Sequence, residues 1–214
     1  MGDPATARVF LASRNPGKLA EMQRILAARV PGVEVLGLDD VEEYAEPAET
    51  EPTFEGNARL KARAAVDATG LPAIADDSGL CVDALNGMPG VLSARWAGAT
   101  GDRETRDRAN NDLLLAQLAD VPEERRSARF WCSVVFAQPG PHGISEQAVE
   151  GVMPGRVIRE LRGDGGFGYD VLFCADGYDV TTAELPPGEK DAISHRGQAL
   201  RRIAPLVAAA LAQR

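Results

Sequence analysis

Four short segments carry residue types and spacings that could do chemistry. The first is Ser13-Arg14-Asn15-Pro16-Gly17-Lys18, which follows an apolar run over 8–12 and precedes residues at helical spacing. A strand that stops there and feeds a helix aims backbone N–H groups and the helix N-terminus at one point, which suits phosphate oxygens. Lys18 adds a full charge, and Ser13 and Asn15 add neutral hydrogen bonds. The spacing GxxxxGK[ST] is absent, so this is no Walker loop. A plain strand-to-helix turn with a solvated lysine accounts for the same residues.

The second segment is Asp76-Asp77-Ser78-Gly79, placed at the end of a short apolar strand over 73–75. Two adjacent acids beside apolar residues are costly unless they meet a cation, a donor or water. In open α/β sheets the carboxyl ends of strands are where ligands sit. One of the pair can hold Mg²⁺, a hard ion that prefers oxygen ligands and substrate phosphates. Neighbouring residues point in different directions, so the two acids should have separate jobs. A turn in which aspartate caps its own backbone is the competing explanation.

The third segment, Gly163 to Gly168, matches GxGxxG literally, but a strand-like Tyr-Asp-Val-Leu-Phe follows it. A dinucleotide fingerprint opens a helix instead, so the match is rejected. The alternatives are a plain surface loop and one that delivers Phe167 and Tyr169 to stack on a purine base. The fourth segment is Lys190 with Ser194-His195-Arg196. Ser194 suits an N-cap, which puts His195 and Arg196 in the first turn of the last helix. Cations at that end oppose the helix dipole, so stability alone does not place them there. The other histidine, His142, sits in Pro-Gly-Pro-His-Gly and reads as a turn residue.

The elements that must position these segments alternate. Strands are predicted over 8–12, 33–38, 73–75, 129–137, 146–152 and 169–174, the fourth and fifth forming an antiparallel pair. Helices are predicted from Leu19 to Leu26, from Phe54 to a stop at Thr69-Gly70, from Thr105 to Leu118 and from about His195 onward, with Pro205 bending or interrupting the last. Eight carboxylates and no cation lie over 39–55, most of them a solvated acidic loop. The fold class is α/β with a mixed sheet. Segments at strand ends, helix starts and the loops between them can converge on one cleft.

Composition narrows the classes of function. The 214 residues are 44% hydrophobic and 26% charged, enough for a sizeable core, with a net charge of −9. A protein this acidic is a poor nucleic-acid binder, though a few local cations and a metal can still hold a small polyphosphate. No signal peptide is visible, and no apolar run approaches the ~20 residues that span a membrane. Cys81, Cys132 and Cys174 are odd in number and widely spaced, as small buried residues of a reduced cytoplasmic protein are.

In this order the segments resemble the inosine triphosphate pyrophosphatase family. The resemblance rests on Ser13 to Lys18, Thr53-Phe54 with Asn57-Ala58 and Lys61-Ala62, Ile74 to Leu80, Pro89-Gly90-Val91 with Ser93-Ala94-Arg95, Phe167 to Asp170, Glu189-Lys190 and Ser194 to Gly197, and it spans about 8–205. It implies one domain over 1–214, with a long twisted mixed sheet, flanking helices and two lobes enclosing a central nucleotide cleft. It also implies a homodimer. The implied activity is Mg²⁺-dependent hydrolysis of deaminated purine nucleoside triphosphates, ITP, dITP and XTP, to the monophosphate and pyrophosphate, which cleanses the nucleotide pool. Carried over by position, Ser13, Arg14, Asn15, Pro16, Gly17, Lys18 and Lys61 would grip the triphosphate. Asp77 would bind metal and accept a proton from the attacking water, with Glu49 a second metal-associated residue. Ser78 and the loop Phe167, Gly168, Tyr169 and Asp170 would contact the nucleotide, Phe167 stacking on the base. Lys190, His195 and Arg196 would recognise the 6-oxo purine and the phosphates.

Three positions depart from the family pattern. Gly56 stands where a glutamate is common, Glu51 where a glycine is usual, and Val171 where a proline is usual. A nucleotide sensor without turnover and a phosphatase acting on the γ-phosphate are the competing classes of function.

Overall fold

The apolar runs and helical spacings become elements close to their predicted places. The computed structural model describes residues 7–13 and 16–212. Its elements are β1 (Arg8–Leu11), α1 (Pro16–Ala27), β2 (Glu34–Leu36), α2 (Phe54–Thr69), β3 (Ala73–Val82), α3 (Arg103–Gln117), β4 (Ser127–Gly140), β5 (Gly143–Val157), β6 (Phe173–Ala175), α4 (Pro187–Ile193) and α5 (His195–Leu211). Among the described residues the strands form one sheet in the order β2-β1-β3-β4-β5-β6. β1 runs parallel to β2 and β3, while β5 and β6 are antiparallel, so the sheet is mixed as expected.

The chain divides into two compact units, each assembled from separated segments. The first takes the chain through Asp77, Ser133–Glu150 and the residues from Ala199 onward; the second takes Ser78–Cys132 and Gly151–Gln198. In the first unit, α2 presents Ala58, Ala62, Ala65 and Val66 to Phe10, Ala73, Ala75, Val135 and Ala137. Small side chains at i, i+4 and i+7 let the helix lie close on the sheet. Thr53 caps its start by accepting from the Gly56 N–H, and Gly70 ends it at φ 67°. In the second unit, Leu114 of α3 and Leu118, which caps its C-terminus, join a core with Leu80, Phe130, Leu172 and Phe173. There Arg126 is 1% exposed and donates to the carbonyls of Leu118, Val121, Val157 and Ile158. These bonds answer the cost of burying a guanidinium.

Four expectations are corrected. β3 does not stop at Asp76; it continues to Val82, carrying Asp76 to Gly79 in mid-strand. Both acids find cationic or amide partners there, so the strand need not end to solvate them. Residues 169–172 are not extended. The Asp170 carboxylate accepts from the Phe167 N–H at 2.8 Å and curls Gly168–Leu172 into a 3₁₀ turn, leaving only Phe173–Ala175 as β6. β4 and β5 are longer than their apolar cores and meet at a turn over Pro141 and His142. α5 is not interrupted at Pro205, near which Ile203, Ala204 and Val207 are buried. The three cysteines are buried, as expected.

Candidate functional site

Two clusters of charged and polar side chains hold the candidate residues, one in each unit. In the first unit, the adjacent acids of β3 have separate partners. Lys18, from the first turn of α1, donates to both carboxylate oxygens of Asp76 at 2.8 Å. Asp77 instead accepts from Asn57 Nδ2 at 2.9 Å and lies 3.9 Å from Lys61 Nζ. Lys61 also bonds Glu49 at 2.7 Å. Asn57 and Lys61 lie one turn apart on α2, which brings both side chains to the same stretch of β3.

This arrangement sets the charge on Lys61. Burial disfavours its ammonium, but Asp77 and the bonded Glu49 outweigh that and hold its pKa above the ordinary lysine value of 10.5. Lys61 therefore keeps its proton at neutral pH and serves as a fixed positive charge. Glu49 and Asp77 converge on that one cation. Two carboxylates, with the remaining positions open to water and phosphate oxygens, form the donor set Mg²⁺ takes in nucleotide enzymes. Glu49 and Asp77 are the two carboxylates of this cluster that could hold such an ion. Of the phosphate segment, Arg14 and Asn15 lie outside the described residues. Ser13 follows β1, and Pro16 and Gly17 open α1.

The second unit holds the residues expected at the base. Phe167 is 44% exposed, with the Arg103 guanidinium 4.2 Å from its ring centroid and the Lys190 and Arg196 cations at 5.7 and 6.0 Å. Arg196 donates to Ser78 Oγ at 3.1 Å. Lys190 donates to Asp170 at 2.5 Å, and Thr182 Oγ1 donates to the other carboxylate oxygen at 2.8 Å. Ser194 accepts from the Gly197 N–H and so caps α5, as predicted. The His195 ring stacks on Phe130, 4.9 Å between centroids. Gly166, at φ 72°, leaves no room for a side chain: a Cβ would lie 2.3 Å from Asp170 Oδ2 and 2.4 Å from Lys190 Nζ.

Tyr169 does not share the exposure of Phe167. It is 4% exposed, its hydroxyl donates to the Ser93 carbonyl at 2.9 Å, and burial raises its pKa far above the usual phenol value. Its ring packs in the core beneath the loop rather than presenting a face to a base.

The family model described as the Ham1 family matches residues 9–206. The chain belongs to the Ham1 family. A dITP/XTP pyrophosphatase from Nocardia farcinica is 59% identical over 95% of this chain and 96% of its own length. The crystal structure of a nucleoside-triphosphatase / dITP/XTP pyrophosphatase from Mycobacterium abscessus is 52% identical, covering 94% of this chain and 99% of that one, with a TM-score of 0.77. A HAM1 protein structure from Coxiella burnetii is 40% identical, covering 94% and 98% of the two chains, with a TM-score of 0.82. The described α/β fold is therefore that of the Ham1 family, and both clusters lie within the matched span.

Several side chains in these clusters carry only a weak signal in the sequence. Asn57 was visible only as part of a motif, although a fully buried amide on an alanine-lined helix face must have polar partners. Arg103, Asp107 and Asn111 recur at i, i+4 and i+8 on α3 and meet the Phe167–Gly168 segment. No local pattern distinguishes them from an ordinary polar helix face.

Proposed function

We propose that this chain is a nucleoside-triphosphate pyrophosphatase that hydrolyses ITP, dITP and XTP to the monophosphate and pyrophosphate. The observation that carries the reading is the convergence of Glu49 and Asp77 on Lys61, beside the Lys18–Asp76 pair. The dITP/XTP pyrophosphatase activity of its close relatives agrees with it.

In this reading the first cluster handles the phosphates. Glu49 and Asp77 would hold Mg²⁺, which when bound supplies positive charge to the phosphate oxygens. Lys18 and Lys61 neutralise the charge that grows on the leaving pyrophosphate. Asp77 takes a proton from the attacking water as its oxygen bonds to the α-phosphorus. The bond from that phosphorus to the bridging oxygen breaks, and pyrophosphate leaves with the electron pair. Asn57 fixes one Asp77 oxygen, so the carboxylate meets the water in a set orientation.

The second cluster reads the base. Phe167 supplies an exposed ring for stacking, while Lys190, His195 and Arg196 supply donors for a 6-oxo group. Adenine presents a donor at that position, and two facing donors cost about 1–3 kcal/mol, roughly 5- to 150-fold per contact. We assign the protein to the cytoplasm as a homodimer on the family resemblance. Light scattering should give twice the chain mass.

The test is incubation with dITP, XTP, ATP and GTP plus Mg²⁺, measuring pyrophosphate and orthophosphate. Rapid pyrophosphate release from dITP and XTP alone is expected, and Asp77→Asn should fold normally and lose turnover. Equal rates on all four nucleotides, orthophosphate as the first product, or binding without turnover would sink the proposal.

A further inference from the structure

The loop that carries Phe167 has glycine at 163, 165, 166 and 168, a composition that leaves a chain free to sample many conformations. The ring is nevertheless held, and much of what holds it comes from α3. Asp107 Oδ2 accepts from the Gly168 N–H at 2.9 Å, and Asn111 Nδ2, one turn on, donates to the Gly168 carbonyl at 3.0 Å. On the other side of the ring's Cα, the Phe167 N–H donates to Asp170. The peptide groups before and after Phe167 are thus both tied down, and rotation of its own side chain is the main freedom left. Asp107 Oδ2 also lies 3.8 Å from Arg103 Nε, and Arg103 covers the ring at 4.2 Å. One carboxylate oxygen therefore orients both the backbone under the ring and the cation against it.

We infer that Asp107, Asn111 and Arg103 form a positioning clamp on α3 that presets Phe167 as the stacking surface for a purine base. This rests on the proposed pyrophosphatase activity and goes beyond it, because it assigns part of base affinity to a helix outside the family motifs found in the sequence. Ordering a glycine-rich loop costs conformational entropy, and a loop already ordered does not lose it again on binding. Asp107 and Asn111 act through Phe167, so they belong to substrate affinity and not to the chemical step.

The experiment is steady-state pyrophosphate release from dITP by the full-length protein and its variants. Asp107→Ala and Asn111→Ala should each raise KM about three- to ten-fold, the range of one net hydrogen bond, with kcat little changed. Asp107→Asn should recover most of the loss, since its amide oxygen can still accept from Gly168; it also serves if the alanine variant folds poorly. In a Phe167→Ala background, Asp107→Ala should add almost nothing to KM, because the ring it positions is gone. An equal rise in KM with and without the ring, or a fall in kcat at unchanged KM, would overturn the clamp. A parent enzyme that releases no pyrophosphate from dITP or XTP would instead overturn the function itself, and the clamp with it.

Discussion

Asn57, fully buried on α2, donates its amide to Asp77 Oδ2 at 2.9 Å while its own Oδ1 accepts from the Glu51 N–H at 2.9 Å. One side chain thus ties the β3 acid to the segment that carries Glu49. Asn57→Ala is expected to lower kcat/KM roughly 10- to 100-fold by loosening the base, and to cost about 1–3 kcal/mol of stability from the lost buried bonds. Asn57→Asp would face Asp77 with a second carboxylate. Two such groups cannot both ionise easily, so the acid limb of the pH–rate profile should move to higher pH. An unmoved acid limb would mean that Asp77 is not the titrating base.

Lys61 has a definite pH signature. Its folded pKa is raised, so the stability it contributes is complete below the ordinary value of 10.5 and is lost only as pH rises through the higher folded value. Lys61→Gln should reduce kcat roughly 100-fold or more, as removing one transition-state charge contact does. The ratio of parent to variant should stay constant across neutral pH. A limb in the parent profile well below pH 10.5 that disappears in the variant would show Lys61 acting as a base.

The two departures near the start of α2 are coupled in space. A Cβ built on Gly56 would sit 2.6 Å from Glu51 Cβ and 2.9 Å from its Cγ, so the glutamate occupies the room a side chain at 56 needs. Gly56→Ala should therefore destabilise the parent by about 1–3 kcal/mol. In a Glu51→Gly background the same change should stabilise, because alanine exceeds glycine in a helix by up to ~1 kcal/mol. Urea midpoints of the four proteins would show this reversal of sign. The same effect in both backgrounds would contradict the steric coupling.

Glu146 on β5 accepts from Arg59 at 2.7 Å and from Arg63 at 2.6 and 2.9 Å. Burial favours its neutral form, but the bonds from Arg63 and Arg59 prevail and hold its pKa below the ordinary 4.5. The stability from this group is present above that value and is lost as pH falls through the lower folded pKa. Glu146→Gln should cost about 1–3 kcal/mol at neutral pH. The gap between parent and variant unfolding midpoints should close in acid, and a gap that persists there would point to packing instead.

The local chemistry was largely readable in advance. Alternating apolar runs and helical spacings located β1 and α2, and Gly70 and Ser194 marked helix boundaries for reasons internal to their own segments. The motif order pointed to the family, and adjacent acids that cannot share a direction implied separate partners for Asp76 and Asp77. Which partners those are depends on residues tens of positions away. So does the passage of β3 through Gly79: a strand predicted to end at its acids continues because Lys18, Asn57 and Lys61 supply charge and donors from elsewhere in the chain. Tyr169 and Phe167 looked equivalent as aromatic loop residues, until Ser93 held one in the core and Arg103 on α3 met the other at the surface. Propensity and periodicity act over a few residues, so most elements and the chemical types at the clusters were readable from the chain alone, though not every boundary. Only the tertiary structure decided which charge meets which, because burial and hydrogen bonding act between residues that no local pattern relates.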